Sequence, residues 1–316
     1  MILVIGANGY VGRALCKRLL EHGTPIRAVV RTVRGDEPFP VEAVAPSAAD
    51  ATWQAQMKGV SCVVHLAART PSRGESAMES LEAFREANVN FVSRVIANAG
   101  HAGVRRFVFL SSIKVNGDVA DRPLTEEDTP RPVDAYGWSK AEAEREVRER
   151  AAAMGMEWVI LRPPVVYGPG VRGNFPALVS AIRRRLPLPL GAIHNRRSIV
   201  YLDNLVDVVE RCTTHPAAAN QLFLVSDHEA VSTPDVVRRF ARALGVKPPY
   251  MPACPVWMLR AAARMLGRGE TAERLTHSLE IDSSLLKSRL AWTPPFSAEE
   301  GFAEMARWFL EQTPQR

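Results

Sequence analysis

The chain has few cysteines, and they are far apart. Four occur among its 316 residues, at Cys16, Cys62, Cys212 and Cys254. Because no two of them form a C-x-x-C pair, neither a disulfide framework nor a cysteine metal site is predicted, and we expect no bound metal. Free thiols are typical of proteins in a reducing compartment, so a cytoplasmic location is the expectation.

The chain also lacks long apolar runs and a basic tail. No stretch of about 18 uncharged apolar residues occurs, so we expect no membrane-spanning helix. The first residues, MILVIGANG, have no basic region and no cleavage site, and a signal peptide is therefore not expected. The formal net charge is +6, but the basic residues are scattered or run along helices. We therefore expect no nucleic-acid partner.

What the chain does contain is an alternation of short β-branched runs and helical patterns. Its length and its 47% hydrophobic content suit one large domain with a smaller lobe. The alternation predicts an α/β fold with a Rossmann-type, doubly wound parallel sheet. The predicted strands span 1–6, 26–31, 62–68, 106–112 and 158–163, with one helix over 12–23 and another around 84–96.

Prolines and glycines punctuate the chain after residue 168. Segments such as YGPGVRGNFP and KPPYMPACP predict loops and a smaller, less regular lobe. We therefore expect a Rossmann domain over residues 1–167, to which a later part near 195–225 returns. Residues 168–316 are expected to form mainly a second lobe, which holds the substrate.

The first predicted strand leads into a glycine-rich turn, GANGYVG, at residues 6–12. Its glycines permit a tight turn and let the backbone approach a pyrophosphate. The helix that follows offers backbone N–H groups and the positive end of its dipole to the phosphates. This turn therefore predicts a dinucleotide site. The predicted contact residues are Gly6, Asn8, Gly9, Tyr10, Val11 and Gly12.

The residue at the end of the second predicted strand bears on the choice of cofactor. An acidic residue there binds the ribose 2′-hydroxyl of NAD, whereas an arginine accommodates the 2′-phosphate of NADP. The sequence VVRTVR places Arg31 at this point, followed by Thr32 and Arg34. A planar guanidinium can bind a doubly charged phosphate at two points, so the charge pattern favours NADP over NAD.

Tyr136 and Lys140 lie four residues apart at the start of a predicted helix, in DAYGWSK. This spacing puts both side chains on one face of the helix. A nearby ammonium group favours the phenolate and lowers the pKa of the phenol, which suits a tyrosine that exchanges a proton near neutral pH. The glycine-rich turn, the pair Ser111–Ser112 and then Tyr136 follow in this order, which strengthens the prediction.

Together these motifs resemble the extended short-chain dehydrogenases/reductases of the NAD(P)-dependent epimerase/dehydratase family, which act on nucleotide-sugars. The similar segments keep the family's order through nearly the whole chain. They are GANGYVG (6–12), HLAA (65–68), Asn88-Val89, SSIKVNG (111–117), LTEEDTPRPVDAYGWSK (124–140), LRPPVVYGPG (161–170), GNFPAL (173–178), RSIVYLDN (197–204) and LAWTPP (290–295). The departures are Arg31, Pro46-Ser47 near the expected adenine site, and Asn116 in a turn where the family usually has tyrosine.

The resemblance implies roles for residues at matching positions. Ser112 would be the catalytic hydroxyl and Tyr136 the acid/base, while Lys140 would lower the tyrosine pKa and bind the nicotinamide ribose. Further cofactor contacts would come from Leu66, Ala67, Ala68, Ser111 and Pro163. Substrate contacts would come from Arg69, Ser112, Lys114, Asn174 and Arg197, the last two at positions that contact the sugar-nucleotide diphosphate.

The residues after Ser112 limit the reaction. The 4,6-dehydratases of the family carry an acidic pair there, but this chain has Ile113 and Lys114. Because removal of water needs an acid and a base at the far carbons of the sugar, dehydration is not expected. Hydride transfer at one carbon needs only Ser112, Tyr136, Lys140 and a nicotinamide.

Two reactions of this kind are open. The first is NAD(P)H-dependent reduction of the C4 ketone of a UDP-4-keto-6-deoxy-N-acetylhexosamine for surface polysaccharide, since the chain is similar to the bacterial enzymes of that branch. It consumes reducing equivalents, which agrees with Arg31, so we favour it. The alternative is a UDP-sugar 4-epimerase with tightly bound NAD, and a non-catalytic NADP-binding regulator is a third hypothesis. The family also implies a homodimer, formed through helices near 84–100 and 137–153.

Overall fold

A seven-stranded parallel sheet with helices on both faces forms the main layer of the structure. The structure is a computed structural model that describes residues 1–71, 77–171, 173–267 and 269–313. The elements of the first half are β1 (Ile2–Ile5), α1 (Tyr10–Glu21), β2 (Ile26–Val30), β3 (Glu42–Ala43), α2 (Asp50–Met57), β4 (Cys62–His65), α3 (Ala77–Arg85), α4 (Phe91–His101), β5 (Arg106–Leu110), α5 (Ala135–Ala153) and β6 (Glu157–Arg162).

The second half of the chain adds a small sheet and further helices. Its elements are β7 (Val165–Tyr167), α6 (Asn174–Arg183), β8 (Arg197–Tyr201), α7 (Leu202–Thr214), β9 (Gln221–Leu224), β10 (Ala230–Val231), α8 (Thr233–Ala243), α9 (Val256–Met265), α10 (Gly269–Thr276), α11 (Ser284–Leu290) and α12 (Ala298–Gln312). None of the helices within the described residues is both long and apolar enough to cross a membrane.

The strand order of the large sheet is β3-β2-β1-β4-β5-β6-β9, and all neighbouring strands are parallel. The predicted Rossmann-type sheet is therefore confirmed. β9 returns to this sheet from the second half of the chain, and α7 packs against α1. The small sheet has the order β10-β8-β7, with β8 antiparallel to β10 and parallel to β7.

The strands of the large sheet are buried on both faces. In β1, Ile2 and Val4 belong to one hydrophobic cluster and Leu3 and Ile5 to the other, because successive side chains of a strand point to opposite faces. Helices α1 and α7 cover the first cluster, and α2, α4 and α5 cover the second. Each fully buried aliphatic side chain contributes about 1.5–3 kcal/mol to the free energy of unfolding, so the two helical layers stabilise the sheet from both faces.

Several elements begin or end differently from the predicted ones. α1 begins at Tyr10 because the extended backbone of Gly9 caps it. β2 ends at Val30 and β4 at His65, so Arg31 and the segment 66–68 lie in loops beyond the strands. The second half of the chain contains more helix than its prolines and glycines indicate. These residues stand mainly between helices or, like the proline of α8, in a first turn where proline is tolerated.

Candidate active site

The site lies at the carboxyl ends of β1, β4, β5 and β6. The strand order changes direction between β1 and β4, and ligands of open α/β sheets bind at such a point. Backbone hydrogen bonds join these ends: Leu66 N–H donates to the Ile5 carbonyl at 3.0 Å, and Ser111 N–H donates to the Leu161 carbonyl at 2.7 Å. The predicted cofactor residues that follow these strands are Gly6, Leu66, Ala67, Ala68, Ser111 and Pro163.

The glycine-rich turn requires glycine at two positions. Gly6 has a φ of +86°, and a Cβ atom there would lie 2.8 Å from the backbone nitrogen of Ala67. A Cβ atom on Gly12 would lie 2.2 Å from the Gly6 carbonyl oxygen. The turn is therefore packed directly against the loop after β4 and against the first turn of α1.

The start of α1 suits an anionic ligand. Within the described residues, no side chain caps this helix end and no acidic residue lies in its first turn. Backbone N–H groups and the positive end of the helix dipole are thus available at the turn. The residues present fit the pyrophosphate of a dinucleotide, which the backbone from Gly9 to Gly12 would hold. The side chains of Tyr10 and Val11 pack against hydrophobic clusters, so their contribution is through the backbone.

Ser112 and Tyr136 meet at the edge of the sheet. Ser112 follows β5 and begins a short 3-10 turn, in which its Oγ accepts a hydrogen bond from Lys114 N–H at 3.2 Å. Tyr136 lies in the first turn of α5, whose start is fixed by Asp134, because its Oδ1 accepts a hydrogen bond from Gly137 N–H at 2.7 Å. The hydroxyl of Ser112 lies near the phenol of Tyr136 and lowers its pKa.

The phenol of Tyr136 is neutral near pH 7. Burial raises the pKa of Tyr136 to about 12, which outweighs the opposing hydrogen bond from Ser112, and Asp134 raises this pKa slightly further. The lowering predicted from Lys140 is not seen, because the ammonium group of Lys140 is bound to the Leu110 carbonyl oxygen. In this structure the phenol is therefore in the form that donates a proton.

Lys140 is almost completely buried, with 1% of the residue exposed. Its Nζ donates a hydrogen bond to the Leu110 carbonyl at 2.6 Å and lies 4.0 Å from the centre of the Phe109 ring. Burial lowers the pKa of Lys140 to about 7, and the nearby negative charge of Glu144 opposes this shift. Lys140 is therefore tied to the end of β5, the strand that leads to Ser112.

Asn88 connects the loop after β4 to the start of α5. It is buried in a π-helical turn, Glu86–Asn90, between α3 and α4. Its Oδ1 accepts a hydrogen bond from Arg69 N–H at 2.8 Å, and its Nδ2 donates to the Arg69 carbonyl at 3.1 Å and to Ser139 Oγ at 3.0 Å. Ser139 Oγ donates in turn to the Tyr136 carbonyl at 2.8 Å. Asn88 thus links the predicted substrate residue Arg69 to the helical turn that carries Tyr136.

The predicted substrate residues Lys114 and Arg197 approach one carboxylate. Lys114 Nζ forms ion pairs with Asp118 at 2.5 Å and with Asp134 at 2.9 Å. Burial lowers the pKa of Arg197, and the negative charge of Asp118 opposes this shift. Lys114 is therefore held beside Asp118 by an ion pair, whereas Arg197 Nη1 donates a hydrogen bond to the His277 carbonyl at 3.1 Å. Asn174 begins α6, and its side chain lies outside the described part of the structure.

Residues 2–225 match the model of the NAD dependent epimerase/dehydratase family. The chain belongs to this family. A UDP-glucose 4-epimerase of Vibrio cholerae is 40% identical over 315 residues, which cover 98% of this chain and 95% of that protein. The prediction of an NAD(P)-dependent enzyme with a short-chain dehydrogenase/reductase fold is confirmed.

Solved structures of the epimerase/dehydratase family share this fold. MoeE5, solved in complex with UDP-glucose and NAD, has a TM-score of 0.78 and 26% identity, covering 98% of this chain and 99% of that chain. The UDP-N-acetylglucosamine 4-epimerase of Bacillus cereus has a TM-score of 0.80 at 18% identity, with 98% of each chain covered. The second of these likenesses bears on the fold alone.

The two residues after Ser112 are not acidic, unlike the pair expected in a 4,6-dehydratase of this family. Ile113 is buried in a hydrophobic cluster with Leu224 and Ile281. Lys114 is engaged by two carboxylates, as described above. Neither side chain supplies the carboxylate that proton transfer at the far carbons of the sugar would need.

A buried ion pair, which the sequence did not predict, lies behind Lys140. Glu144 accepts hydrogen bonds from Arg162 Nε at 2.8 Å, from Arg162 Nη2 at 2.6 Å and from Ser111 Oγ at 2.5 Å. Arg162 Nη1 also donates to Asn116 Oδ1 at 2.9 Å. The Ser111 hydroxyl therefore has a hydrogen-bond acceptor, Glu144, within the protein. The available signal was the four-residue spacing, which continues from Lys140 to Glu144 on one helix face.

The loop after β2, residues 31–37, bends over the glycine-rich turn. Asn8 Nδ2 donates a hydrogen bond to the Thr32 carbonyl at 3.0 Å and another to Glu37 Oε1 at 3.4 Å. Arg31 is exposed at the start of this loop. The sequence VVRTVR points to Arg31, whereas Glu37, the acid that reaches Asn8, lies six positions further along the chain.

Proposed function

We propose that this chain is a UDP-sugar 4-epimerase, which inverts the hydroxyl at C4 of a UDP-hexose with NAD as its cofactor. The observation that carries the proposal is that the hydroxyls of Ser112 and Tyr136 lie together, while the two residues after Ser112 carry no carboxylate. Those two residues are Ile113 and Lys114. This set supports proton transfer at a single sugar carbon. The 40% identity to the Vibrio cholerae UDP-glucose 4-epimerase over nearly the whole chain favours epimerisation over net reduction.

The side chains of the site have complementary tasks in this reaction. Bound NAD supplies the acceptor and later the donor of the hydride at C4. As the phenolate, Tyr136 Oη would take the proton of the C4 hydroxyl as the ketone forms and would return it when the opposite face is reduced. Because burial keeps the phenol neutral near pH 7, Tyr136 must lose its own proton before the oxidation begins. Ser112 Oγ would hold the same sugar oxygen, and its hydroxyl lowers the pKa of Tyr136, which favours the phenolate. Lys140, fixed by the Leu110 carbonyl, stands on the same helix face to hold the ribose of the cofactor.

A UDP-sugar suits the charges beside Ser112. The relative MoeE5 has been solved with UDP-glucose and NAD, which supports the same ligand class here. Arg197 lies half-buried at the start of β8, where its Nη1 donates to the His277 carbonyl at 3.1 Å, and a guanidinium group can bind a diphosphate at two points. Lys114, already balanced by Asp118 and Asp134, is better placed to shape the pocket than to neutralise the phosphates.

A second candidate is NAD(P)H-dependent reduction of the C4 ketone of a UDP-4-keto-6-deoxy-N-acetylhexosamine, which the sequence argument favours. Its specific support is Arg31, which lies exposed at the end of β2 and could bind the 2′-phosphate of NADPH. The relatives support the epimerase better than this reductase. A non-catalytic nucleotide-binding protein has the least support, since Ser112, Tyr136 and Lys140 are all in place.

The deciding experiment offers each substrate class to the purified protein. UDP-glucose and UDP-N-acetylglucosamine are incubated without added cofactor, and the products are separated by chromatography. We expect the C4 epimer to form until equilibrium is reached. In parallel, UDP-4-keto-6-deoxy-N-acetylglucosamine is incubated with NADPH or NADH, and the absorbance of the reduced nicotinamide is followed.

The two arms give opposite results for the two candidates. An epimerase converts the UDP-hexose without consuming nicotinamide, since oxidation and reduction balance within one turnover. A reductase consumes one reduced nicotinamide for each ketosugar and leaves UDP-hexoses unchanged. Stoichiometric loss of NADPH together with unchanged UDP-hexoses would therefore overturn the epimerase proposal.

A further inference from the structure

The carboxylate of Glu37 lies beside the glycine-rich turn. In Rossmann folds the ribose 2′ position lies next to the end of the second strand, beside the glycine-rich turn. Here Arg31 is the first residue after β2. The acidic residue is Glu37, which lies at the end of the loop 31–37 that bends back to the glycine-rich turn. Glu37 Oε1 accepts a hydrogen bond from Nδ2 of Asn8, a residue of the glycine-rich turn, at 3.4 Å.

Backbone N–H groups hold Glu37 in this position. Its Oε1 accepts a hydrogen bond from Arg34 N–H at 3.0 Å, and its Oε2 accepts one from Gly35 N–H at 2.9 Å. Consecutive N–H groups of this kind form a concave site for an anion. These hydrogen bonds, that of Arg34 foremost, lower the pKa of Glu37, so its carboxylate is ionised at neutral pH. A fixed negative charge therefore stands beside Asn8.

The neighbouring arginine side chains contact other groups than the carboxylate of Glu37. Arg34 Nη1 donates to the Asn8 carbonyl at 3.5 Å, and Arg13 pairs with Asp36 rather than with Glu37. Arg31 is exposed and, within the described residues, its guanidinium group makes no hydrogen bond or ion pair. The carboxylate that reaches the Asn8 amide is that of Glu37.

We propose that Glu37 selects NAD over NADP, by accepting a hydrogen bond from the ribose 2′-hydroxyl and repelling a 2′-phosphate. Glu37, which lies in the loop 31–37, would take the role of the acidic residue that is missing at the end of β2. The inference rests on the dinucleotide site of the proposed function but not on the reaction at the sugar. It makes NAD the cofactor in spite of Arg31.

The test measures binding of the two nucleotides to the full chain. Glu37→Gln is compared with the wild type and with Asp36→Asn, a matched control in the same loop whose acid pairs with Arg13. Bound nucleotide is released, identified by mass spectrometry, and replaced by NAD⁺ or NADP⁺ in isothermal titration calorimetry. Thermal unfolding checks that each variant is folded, and Glu37→Ala serves as a second variant.

We expect the wild type to release NAD and to bind NAD⁺ at least about tenfold more tightly than NADP⁺, since one charge-assisted hydrogen bond changes an affinity by roughly tenfold or more. Glu37→Gln and Glu37→Ala should reduce this preference by about tenfold or more, by weakening NAD⁺ and strengthening NADP⁺ binding. Asp36→Asn should leave the preference within about twofold, because its acid does not reach Asn8.

Two results would overturn the inference. One is a wild type that binds NADP⁺ more tightly than NAD⁺. The other is a Glu37→Gln variant that weakens both nucleotides equally, because Glu37 would then only order the loop. Neither result touches the proposed epimerisation, which is judged by turnover of UDP-hexoses. Conversely, an inactive protein with a Glu37-dependent preference for NAD⁺ would leave this inference intact.

Discussion

The guanidinium group of Arg162 donates two hydrogen bonds to the carboxylate of Glu144, at 2.8 and 2.6 Å, in the interior of the protein. Glu144 is 3% exposed and Arg162 is 2% exposed. The pair joins α5, which carries Tyr136 and Lys140, to β6 at the centre of the site. Because both charges are out of water, each depends on the other for compensation.

Loss of one partner of this pair should destabilise the fold strongly. Glu144→Gln is expected to lower the free energy of unfolding by about 3–5 kcal/mol, since it leaves the charge of Arg162 buried and unpaired. The double variant Glu144→Leu/Arg162→Met should lose less than the sum of its single variants. Urea unfolding followed by circular dichroism measures both. The control is Glu146→Gln on the same helix, with an expected loss of at most about 1 kcal/mol, because Arg150 is 45% exposed and glutamine can still accept the hydrogen bond from Ser93 Oγ.

Replacement of the phenol of Tyr136 should abolish turnover and leave cofactor binding intact. Tyr136→Phe is expected to lower kcat by at least about a hundredfold, because general acid–base catalysis contributes that much or more. Nucleotide affinity should be close to that of the wild type, measured by calorimetry. Tyr250→Phe, at a tyrosine that is 73% exposed, is the matched control and should be fully active. Full activity in Tyr136→Phe would show that another group transfers the proton.

The buried Lys140 makes stability depend on pH. Its pKa falls from 10.5 to about 7 on folding, mainly through burial. Between these values the unfolded chain binds a proton that the folded chain has released, so the free energy of unfolding rises with pH. Relative to Lys140→Met, the wild type should gain stability as the pH rises from 7 towards 10, and the difference should level off below pH 7, where Lys140 is protonated in both states. Unfolding curves in urea across this range test the sign, and a constant difference between the two proteins contradicts it.

Asn88 should affect turnover because it links the loop after β4 to the first turn of α5. Asn88→Leu removes three hydrogen bonds, two to the backbone of Arg69 and one to the buried Ser139, and loss of a partner costs about 1–3 kcal/mol for a buried group. We expect a lower melting temperature and a lower kcat, since the first turn of α5 loses its anchor. Asn90→Leu is the control in the same π-helical turn, since Asn90 is exposed and its amide donates to Glu86 of the same turn. Equal effects of the two variants would contradict the anchoring role.

The glycine-rich turn should not tolerate a methyl group at Gly12. A Cβ atom there would collide with the Gly6 carbonyl oxygen at 2.2 Å, so Gly12→Ala must displace the turn. We expect nucleotide binding to fall below detection in calorimetry while the large sheet keeps its circular dichroism signal. Gly103→Ala is the control, because its Cβ would meet open space and the positive φ of 72° costs only about 1–2 kcal/mol. Normal nucleotide binding in Gly12→Ala would contradict this view of the turn.

The sequence was a good guide wherever a structural property is local. The strands of the large sheet are short apolar runs, and their burial on both faces follows from that composition. It was a poorer guide to ionisation. The lowering of the Tyr136 pKa by Lys140 was inferred from spacing alone, whereas the structure directs the ammonium group to the Leu110 carbonyl and lets burial raise that pKa.

The sequence by itself determined the parallel sheet, the glycine-rich turn and the common helix face of Tyr136 and Lys140, because periodicity and spacing act over a few residues. Only the tertiary structure decided which charges meet. It brings Glu37 to Asn8 and Glu144 to Arg162, and no local pattern contains these pairs. The physical reason is that an ion pair or hydrogen bond depends on distances across the fold, which follow from how strands, helices and loops pack together.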